Sequence, residues 1–355
     1  MKVKIRIGNE VKEYTGAWED HTLLEVFQEL GITQVHAPCG GNGTCKKCLV
    51  TVEGLGKVLS CQTQCKDDMC VTVAEEQKSA IAENGNCYLY PADAGEGLLA
   101  ACDIGTTTVV CHLLDGATGV RLCTVSAPNA QRSFGADVIS RIQASVDSGL
   151  DKLQSAIVDQ INGMLVQLKQ KAGRTEDIRR LAVAGNTVMS HLFCGLSPES
   201  IGVAPFTPLS LFGESYDAKQ IGIEGCETVY VVPSIAGYVG GDIVADLAAV
   251  QMHSSVLAED GEKETLMLDI GTNGEMVLGK SGSYVCCATA AGPAFEGAEI
   301  AMGMPAASGA ISKVWLEDGK ICCSTINDAP AVGICGSGLI DALAVFLETE
   351  LLDET

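Results

Sequence analysis

The chain has 355 residues, of which 47 % are hydrophobic and only 5 % aromatic, and its formal net charge is −22 at pH 7. This length suggests two to three domains, and the composition is typical of an α/β enzyme rich in small residues. The negative charge argues against nucleic acid or an anionic membrane surface as a partner and favours a basic face on another protein.

The hydropathy pattern shows neither an apolar signal region in the first residues nor an uncharged apolar stretch of about 18 residues. We therefore expect no export and no membrane partner. The 17 cysteines include the adjacent pairs Cys286–Cys287 and Cys322–Cys323, which is not the layout of a disulfide scaffold. They indicate a reducing cytoplasm, where most of them would be small buried hydrophobes.

The N-terminal segments predict two strands and a helix. KVKIRIG and VKEYTG alternate as strands do, with Asn9 and Glu10 at the turn, and HTLLEVFQELG has the spacing of an amphipathic helix that Gly31 ends. The later segments LVTV and KVLS predict two more strands. Together these elements predict a β-grasp module over residues 1–78 and a linker at 79–97. The chain is polar and turn-rich from about Cys65 to Glu96, and we interpret this stretch as linker.

Four cysteines lie in and just after a glycine-rich loop of this module. They are Cys39, Cys45, Cys48 and Cys61. Three thiolates within ten residues can converge on one inorganic core only if the chain wraps tightly, which the loop glycines permit. The spacing C-x5-C-x2-C is one residue longer than the plant-type pattern. We interpret the four cysteines as ligands of a [2Fe–2S] cluster that transfers electrons.

Other interpretations of these cysteines stay open. Cys45-x2-Cys48 alone is an ordinary zinc half-site, and a set of buried thiols without a ligand is the simplest alternative. Cys65 and Cys70 are spare candidates for the fourth ligand. Cys61 is preferred because the two predicted strands before it would carry it back to the loop.

A strand, a turn rich in Gly and Thr, and a second strand follow the linker, and the same frame recurs about 165 residues later. Backbone N–H groups and hydroxyls of such turns can hold phosphate oxygens, while the aspartate at the strand end can hold hydrated Mg²⁺. Each copy alone is a weak signal, but two copies favour a phosphate site. The candidate residues are Asp103, Gly105, Thr106 and Thr107 in the first copy and Asp269, Gly271, Thr272 and Asn273 in the second.

These paired DIGTT and DIGTN hairpins resemble the two phosphate motifs of the acetate and sugar kinase, Hsp70 and actin superfamily. The resemblance implies that Asp103 and Asp269 face each other across an interdomain cleft as catalytic, Mg²⁺-organising residues. The segment 333–342 resembles that superfamily's adenosine motif, with Gly336, Ser337 and Gly338 bordering ATP. The segment 233–242 falls where the first connecting helix would start, and its glycines would permit close helix packing.

The ferredoxin loop and the actin-like frame together resemble one family, the ferredoxin-fused reductive activators of corrinoid proteins, over nearly all of the chain. Further strings are similar to that family's own: NAQRSFGADVISRI (129–142), VAGNTVMSHLF (183–193), PFTP (205–208) and AGPAFEGAEIAMGM (291–304). The resemblance implies a β-grasp [2Fe–2S] ferredoxin domain followed by an actin-like (ribonuclease H-like) ATPase domain, an α+β and α/β fold. It implies ATP-dependent electron transfer from the cluster to the cob(II)amide of a corrinoid methyl-carrier protein, with an upstream electron donor.

Each string also has an ordinary structural interpretation. Asn186 caps a predicted helix, which could meet an anion or could be a common strand–helix turn. His191 is interpreted as a packed or solvent-edge histidine rather than a ligand and is left out of the site. Glu296 could touch ribose or metal, or could simply begin a helix. The stretch 136–173 predicts one or two amphipathic helices with a break near Gly149.

The chain ends where the superfamily continues with a second connecting helix. We therefore expect lobe I at 98–250 and an incomplete lobe II at 251–355, with an uncovered apolar face and association with a second copy or a second chain. Two rival functions remain: an iron–sulfur electron carrier or docking protein with a degenerate nucleotide lobe, and an ATPase that energises another metalloenzyme. Because the latter class bears its cluster at a subunit interface, the β-grasp module argues against it.

Overall fold

The computed structural model describes residues 1–8, 10–32, 34–35, 37, 41–43, 48–74, 95–253, 264–271, 273–280, 283–289, 300–304 and 306–352. These residues fall into two compact units, the first containing residues 1–74 and 95–253 and the second residues 264–352. No helix within these ranges is both long and apolar enough to cross a lipid bilayer.

In the described residues of the N-terminal module, one helix packs on a five-stranded sheet. Its strands are β1 (Lys2–Ile7), β2 (Glu10–Thr15), β3 (Leu49–Val52), β4 (Gly56–Leu59) and β5 (Met69–Val73). They lie in the order β2-β1-β5-β3-β4, in which only β1 and β5 are parallel. Helix α1 (Leu23–Glu29) begins at a capping box between Thr22 and Glu25. This is the β-grasp arrangement that the sequence predicts, although Glu10 belongs to β2 rather than to the turn and Asn9 lies outside the described residues.

Strand β5 corrects one sequence prediction. The polar stretch that begins near Cys65 is not all linker, because Met69–Val73 forms a central strand between β1 and β3. Met69, Val71 and Val73 alternate into the core, which is the pattern of a half-buried strand. In the sequence, this short alternation of apolar and polar residues is difficult to recognise because a charged turn comes just before β5.

The next sheet carries the first candidate phosphate hairpin. Its strands are β6 (Leu98–Ile104), β7 (Thr108–Asp115), β8 (Arg121–Pro128), β9 (Ile178–Gly185), β10 (Ser215–Asp217) and β11 (Cys226–Val231). The order is β10-β11-β9-β6-β7-β8, and β6, β9 and β11 are parallel. The carboxyl ends of these three strands therefore share one sheet edge, which is where ligands bind in α/β folds.

Five helices accompany this sheet. They are α2 (Val138–Ala144), α3 (Leu150–Ala172), α4 (Thr187–Phe193), α5 (Ala218–Ile221) and α6 (Gly241–His253). A π-helical turn, Ser145–Gly149, separates α2 from α3, which confirms the predicted break near Gly149. Helix α3 buries a stripe that includes Leu153, Ile157 and Ile161 in the sheet core. Burial of each such side chain contributes about 1.5–3 kcal/mol.

Within the part of the second unit that the structure describes, there are two small sheets and one helix. Its elements are β12 (Thr265–Ile270), β13 (Gly274–Lys280), β14 (Ser283–Thr289), β15 (Ala310–Glu317), β16 (Lys320–Thr325), β17 (Gly333–Ile334) and α7 (Gly336–Glu348). The sheets have the orders β12-β13-β14 and β16-β15-β17. Leu266, Leu268 and Ile270 on β12 are each more than half exposed, at 57 %, 52 % and 59 %. This unit therefore presents an uncovered apolar face.

Candidate cluster and nucleotide sites

Two of the four predicted cluster ligands come together in the β-grasp module. Cys48 precedes β3 and Cys61 lies in the short turn that follows β4, so the β3–β4 hairpin returns one to the other. Their Sγ atoms lie 3.3 Å apart, and both side chains are buried. Ser60 N also donates to Cys48 O at 2.9 Å, which fixes the two backbones. The other two predicted ligands, Cys39 and Cys45, lie outside the described residues.

The glycine-rich loop wraps against this pair of thiols. Gly41 and Gly43 have φ values of +89° and +76°, which residues other than glycine adopt only with strain. The amide of Gln62 donates to Gly41 O at 3.3 Å and lies 3.8 Å from Cys61 Sγ. Converging buried thiols, a loop that only glycine can form and a nearby amide donor fit a thiolate-held iron–sulfur cluster.

The spare cysteines fit less well. Cys65 is buried in the module core, where burial raises the pKa of its thiol and disfavours the thiolate that binds metal. Cys70 lies on β5, on the opposite face from the core residues Met69 and Val71. Cys61 therefore stays the proposed fourth ligand.

The part of the N-terminal module that contains Cys48 and Cys61 lies beside the actin-like part of the first unit. Gln28 Nε2 on α1 donates to Ser133 O at 2.8 Å. A cavity of about 270 Å³ next to this contact is lined on one side by Cys61 and Gly41 and on the other by Gln143 of α2. Helix α2 thus borders the side of the module on which Cys61 lies.

The first phosphate hairpin turns tightly between β6 and β7. Asp103 is exposed near the end of β6. A Cβ atom on Gly105 would lie 2.6 Å from Thr108 O, so the turn requires glycine. Thr106 is buried, and its Oγ1 accepts a hydrogen bond from Asn186 Nδ2 at 3.1 Å.

Asn186 has two roles, of which the sequence predicts only the helix cap. Its Oδ1 accepts from Met189 N at 3.0 Å, the predicted helix cap, while its Nδ2 supports the hairpin 80 residues away. Gly240, just before α6, packs against the same residue, because a Cβ there would collide with the Asn186 backbone and lie 2.7 Å from Thr187 N. Gly240, one of the glycines predicted to permit close helix packing, therefore packs closely against the turn at the start of α4. In the sequence, the indication of a role for Asn186 is the string VAGNTVMSHLF, which contains this residue.

The second hairpin joins β12 to β13. Gly271 N donates to Asn273 O at 2.9 Å and closes the turn. Asp269 is half-buried and lies opposite the buried Glu275 in the strand register, and burial raises the pKa of the Asp269 carboxyl. Thr272 lies outside the described residues. The two hairpins belong to different units, so the facing of Asp103 and Asp269 stays a prediction.

The predicted adenosine motif lies at the start of α7, as the sequence indicates. Ser337 Oγ donates to Ser312 O at 2.9 Å, and a Cβ on Gly338 would collide with the carbonyl of Ile311. Both residues therefore pack α7 against β15. The role of Gly336, Ser337 and Gly338 in binding adenosine stays a prediction.

His191 is a packed residue rather than a solvent-edge one, the two positions that the sequence leaves open. Its ring is fully buried; Nδ1 lies 2.7 Å from Thr187 O, and Nε2 accepts from the N–H groups of Leu209 and Ser210 at 3.2 and 3.3 Å. These contacts require the neutral ring with its proton on Nδ1. Glu296 lies outside the described residues.

Three family models match consecutive parts of the chain. Residues 6–76 match the 2Fe-2S iron-sulfur cluster binding domain, residues 98–255 match the RACo middle region, and residues 263–355 match the C-terminal domain of RACo, the ASKHA domain. The fold is thus an N-terminal 2Fe-2S ferredoxin domain followed by an actin-like domain, as predicted.

Individual relatives give the same result. The corrinoid activation enzyme RamQ of Eubacterium limosum is 32% identical in an alignment that covers 94% of this chain and 69% of RamQ. A [Co(II) methylated amine-specific corrinoid protein] reductase of Methanosarcina barkeri is 28% identical over 72% of this chain and 51% of the reductase.

A solved structure extends the likeness to the fold. The reductive activator for corrinoid, iron-sulfur protein aligns with a TM-score of 0.61 and 31% identity over 99% of this chain and 73% of that protein. The sequence identity to RamQ, the order of the matched domains and the structural alignment all agree. The chain therefore belongs to the family of reductive activators of corrinoid proteins.

Proposed function

We propose that this protein is an ATP-dependent reductive activator of a corrinoid methyl-carrier protein. In the proposed reaction, one electron from an upstream low-potential donor reaches the protein-bound cob(II)amide, and Co(II) becomes Co(I). A [2Fe–2S] cluster held by Cys39, Cys45, Cys48 and Cys61 would supply the one-electron relay. The proposed domains are the ferredoxin module (1–78), a linker (79–97), lobe I (98–250) and lobe II (251–355).

The observation that carries this proposal is the pairing of Cys48 and Cys61 in a module that contacts lobe I. The sulfur atoms lie 3.3 Å apart, and α1 of the same module is hydrogen-bonded to Ser133 of lobe I. The named activities of RamQ and of the corrinoid protein reductase support the choice of a corrinoid partner. The net charge of −22 favours a partner with a basic docking face.

The proposed nucleotide site uses both hairpins. Asp103 and Asp269 would hold Mg²⁺, while Gly105, Thr106 and Thr107 with Gly271, Thr272 and Asn273 would hold phosphate oxygens. Gly336, Ser337 and Gly338 would border the adenosine. A plant-type cluster has a reduction potential of about −400 mV. In this proposal the transfer of an electron from such a cluster to cob(II)amide is uphill. Nucleotide can assist only by binding two states of the complex with different affinities.

The test is anaerobic reduction of a purified corrinoid methyl-carrier protein held in the Co(II) state. Titanium(III) citrate serves as the reductant, the cluster-loaded protein is present at catalytic amounts, and the absorbance of Co(I) is followed with and without Mg-ATP. We expect Co(I) to form only when both the protein and Mg-ATP are present. The test variant is Cys48→Ser, which removes a proposed ligand. The matched control is Cys123→Ser, which changes a thiol on β8.

The outcomes separate the candidate functions. Reduction that proceeds equally well without Mg-ATP would identify an electron carrier with a degenerate nucleotide lobe. No reduction by cluster-loaded protein under any condition would contradict the proposal. Reduction that survives in Cys48→Ser would contradict the ligand assignment.

A further inference from the structure

Arg141 on helix α2 is a fully buried cation whose contacts are all with uncharged groups. Its Nε donates to Gly135 O at 3.0 Å, one terminal nitrogen lies 3.1 Å from Met189 Sδ, and the other donates to Thr106 O at 2.5 Å. Among the residues that the structure describes, no carboxylate forms an ion pair with it. Burial, followed by repulsion from Arg132, lowers the pKa of Arg141 to about 9, while attraction to the Asp137 carboxylate partly opposes this, and the side chain still carries its charge at neutral pH.

Burial of a cation that forms no ion pair is costly, so the hydrogen bonds that Arg141 makes indicate what its charge can serve. Arg141 touches the middle residue of the first phosphate hairpin. The Thr106 carbonyl belongs to the peptide unit that also carries the N–H of Thr107, so the guanidinium polarises that N–H toward an anion. The side chain therefore brings positive charge to the inner side of the hairpin.

Asn129 completes the support of the same turn. Its Nδ2 donates to Gly105 O at 2.7 Å and its backbone N donates to Thr107 O at 2.9 Å. Each of the three turn carbonyls, at 105, 106 and 107, thus accepts a hydrogen bond from the 129–142 segment. Carbonyl oxygens held in this way are turned toward the protein rather than toward a bound phosphate, which they would repel.

We propose that Arg141, assisted by Asn129, is a positioning residue that holds the first phosphate hairpin in its anion-binding shape and supplies the buried positive charge that favours phosphate. This inference rests on the proposed nucleotide site and adds to it a residue that makes no direct contact with the nucleotide. It also explains why the 129–142 string, far from both hairpins in sequence, accompanies them in this chain.

The test is calorimetric titration of cluster-loaded protein with Mg-ATP, well below the melting temperature, together with thermal melts in the absence of nucleotide. Arg141→Met removes the charge and the donors while keeping a long side chain, and we expect it to weaken Mg-ATP binding roughly 10- to 100-fold. Arg141→Lys keeps the charge but cannot reach two carbonyls with one planar fork, so an intermediate loss is expected. Arg174→Met is the matched control, because Arg174 pairs with Asp115 and Glu176 elsewhere on lobe I.

A purely structural arginine would lower the melting temperature and leave the affinity of the folded protein unchanged. Folded Arg141→Met that binds Mg-ATP within twofold of wild type would therefore overturn the inference while the nucleotide site stands. If Arg141→Met does not fold, Arg141→Lys is the variant that tests the inference. Wild-type affinity of Arg141→Lys for Mg-ATP then overturns it. Wild-type protein that binds no Mg-ATP would overturn the proposed nucleotide site and this inference with it.

Discussion

Cys48 Sγ and Cys61 Sγ lie 3.3 Å apart in the N-terminal module, although the two residues are 13 positions apart in the chain. The separation is too long for a disulfide bond and brings both thiols to one point. Two thiolates at this distance would repel each other strongly unless a cation or cluster neutralised them. The β3–β4 hairpin therefore brings together two of the four proposed cluster ligands.

Replacement of single cysteines should separate cluster ligands from core thiols. We expect Cys61→Ser to lose most of the bound iron and acid-labile sulfide and the visible absorption of the cluster, because one of four thiolates is missing. Cys65→Ser should keep them, since Cys65 is a core residue of the same module. Iron, sulfide and zinc analysis together with absorption spectra would check this. A full cluster in Cys61→Ser together with cluster loss in Cys65→Ser would make Cys65 the ligand and Cys61 the core thiol. Bound zinc without sulfide in the wild-type protein would favour the zinc alternative.

Replacement of Asn186 should separate helix capping from hairpin support. Asn186→Ala removes both hydrogen bonds, and we expect the free energy of unfolding to fall by about 1–2 kcal/mol, with weaker Mg-ATP binding. Asn186→Asp keeps the cap oxygen but puts a negative charge beside Thr106. We expect Asn186→Asp to weaken Mg-ATP binding roughly tenfold while losing less stability than Asn186→Ala. Urea unfolding and calorimetry would measure the two effects, and equal Mg-ATP affinity in both variants and wild type would contradict a link between Asn186 and phosphate.

The buried His191 should make stability depend on pH. In the unfolded chain the ring titrates near its ordinary pKa of about 6.5, whereas burial lowers its pKa in the folded protein. The unfolded state therefore binds the proton first as pH falls, and stability present above pH 6.5 is lost below it. Protonation of Nε2 would also remove the acceptor of the Leu209 and Ser210 N–H groups.

Urea unfolding at pH 7.5 and pH 5.5 would test this dependence. We expect the free energy of unfolding to be lower at pH 5.5 in wild type and to change less in His191→Gln, whose side chain does not titrate. An identical pH dependence in the two proteins would show that other groups cause it.

Local patterns were enough to predict much of this fold. The strand β3 and the helix α1 follow directly from alternation, helical spacing and the ending glycine at position 31. The break near Gly149 is equally visible in the sequence. Cys102 and Cys111, which lie opposite each other on β6 and β7, are buried small residues as the cysteine layout indicates.

Contacts between distant segments could not be predicted in the same way. Strand β5 is paired with β1 more than 60 residues away, and nothing within its five residues specifies that partner. The hydrogen bonds from Asn186 and Arg141 to Thr106 span 80 and 35 residues. A single sequence shows that such residues are polar and near a helix start, but tertiary packing alone decides which carbonyl or hydroxyl they reach.

Two glycine-to-alanine variants should have opposite effects on the first unit. Gly163 lies in the middle of α3 with open space where a Cβ would be placed, and we expect Gly163→Ala to raise the free energy of unfolding by about 0.5–1 kcal/mol because alanine favours the helix. Gly240 has no such space, because its Cβ would collide with the Asn186 backbone and lie 2.7 Å from Thr187 N. We expect Gly240→Ala to lower the free energy of unfolding by about 1–3 kcal/mol.

The effect of Gly240→Ala should also reach the nucleotide site. Asn186 holds Thr106, so a shift of the Asn186 backbone by a few tenths of an ångström moves the hydrogen bond that supports the first phosphate hairpin. We therefore expect Gly240→Ala to weaken Mg-ATP binding and Gly163→Ala to leave it unchanged, although both add one methyl group. Urea unfolding and calorimetry on the two variants would measure this. Wild-type stability and affinity in Gly240→Ala would mean that the turn can move without disturbing the hairpin, and would leave Asn129 and Arg141 as its main supports.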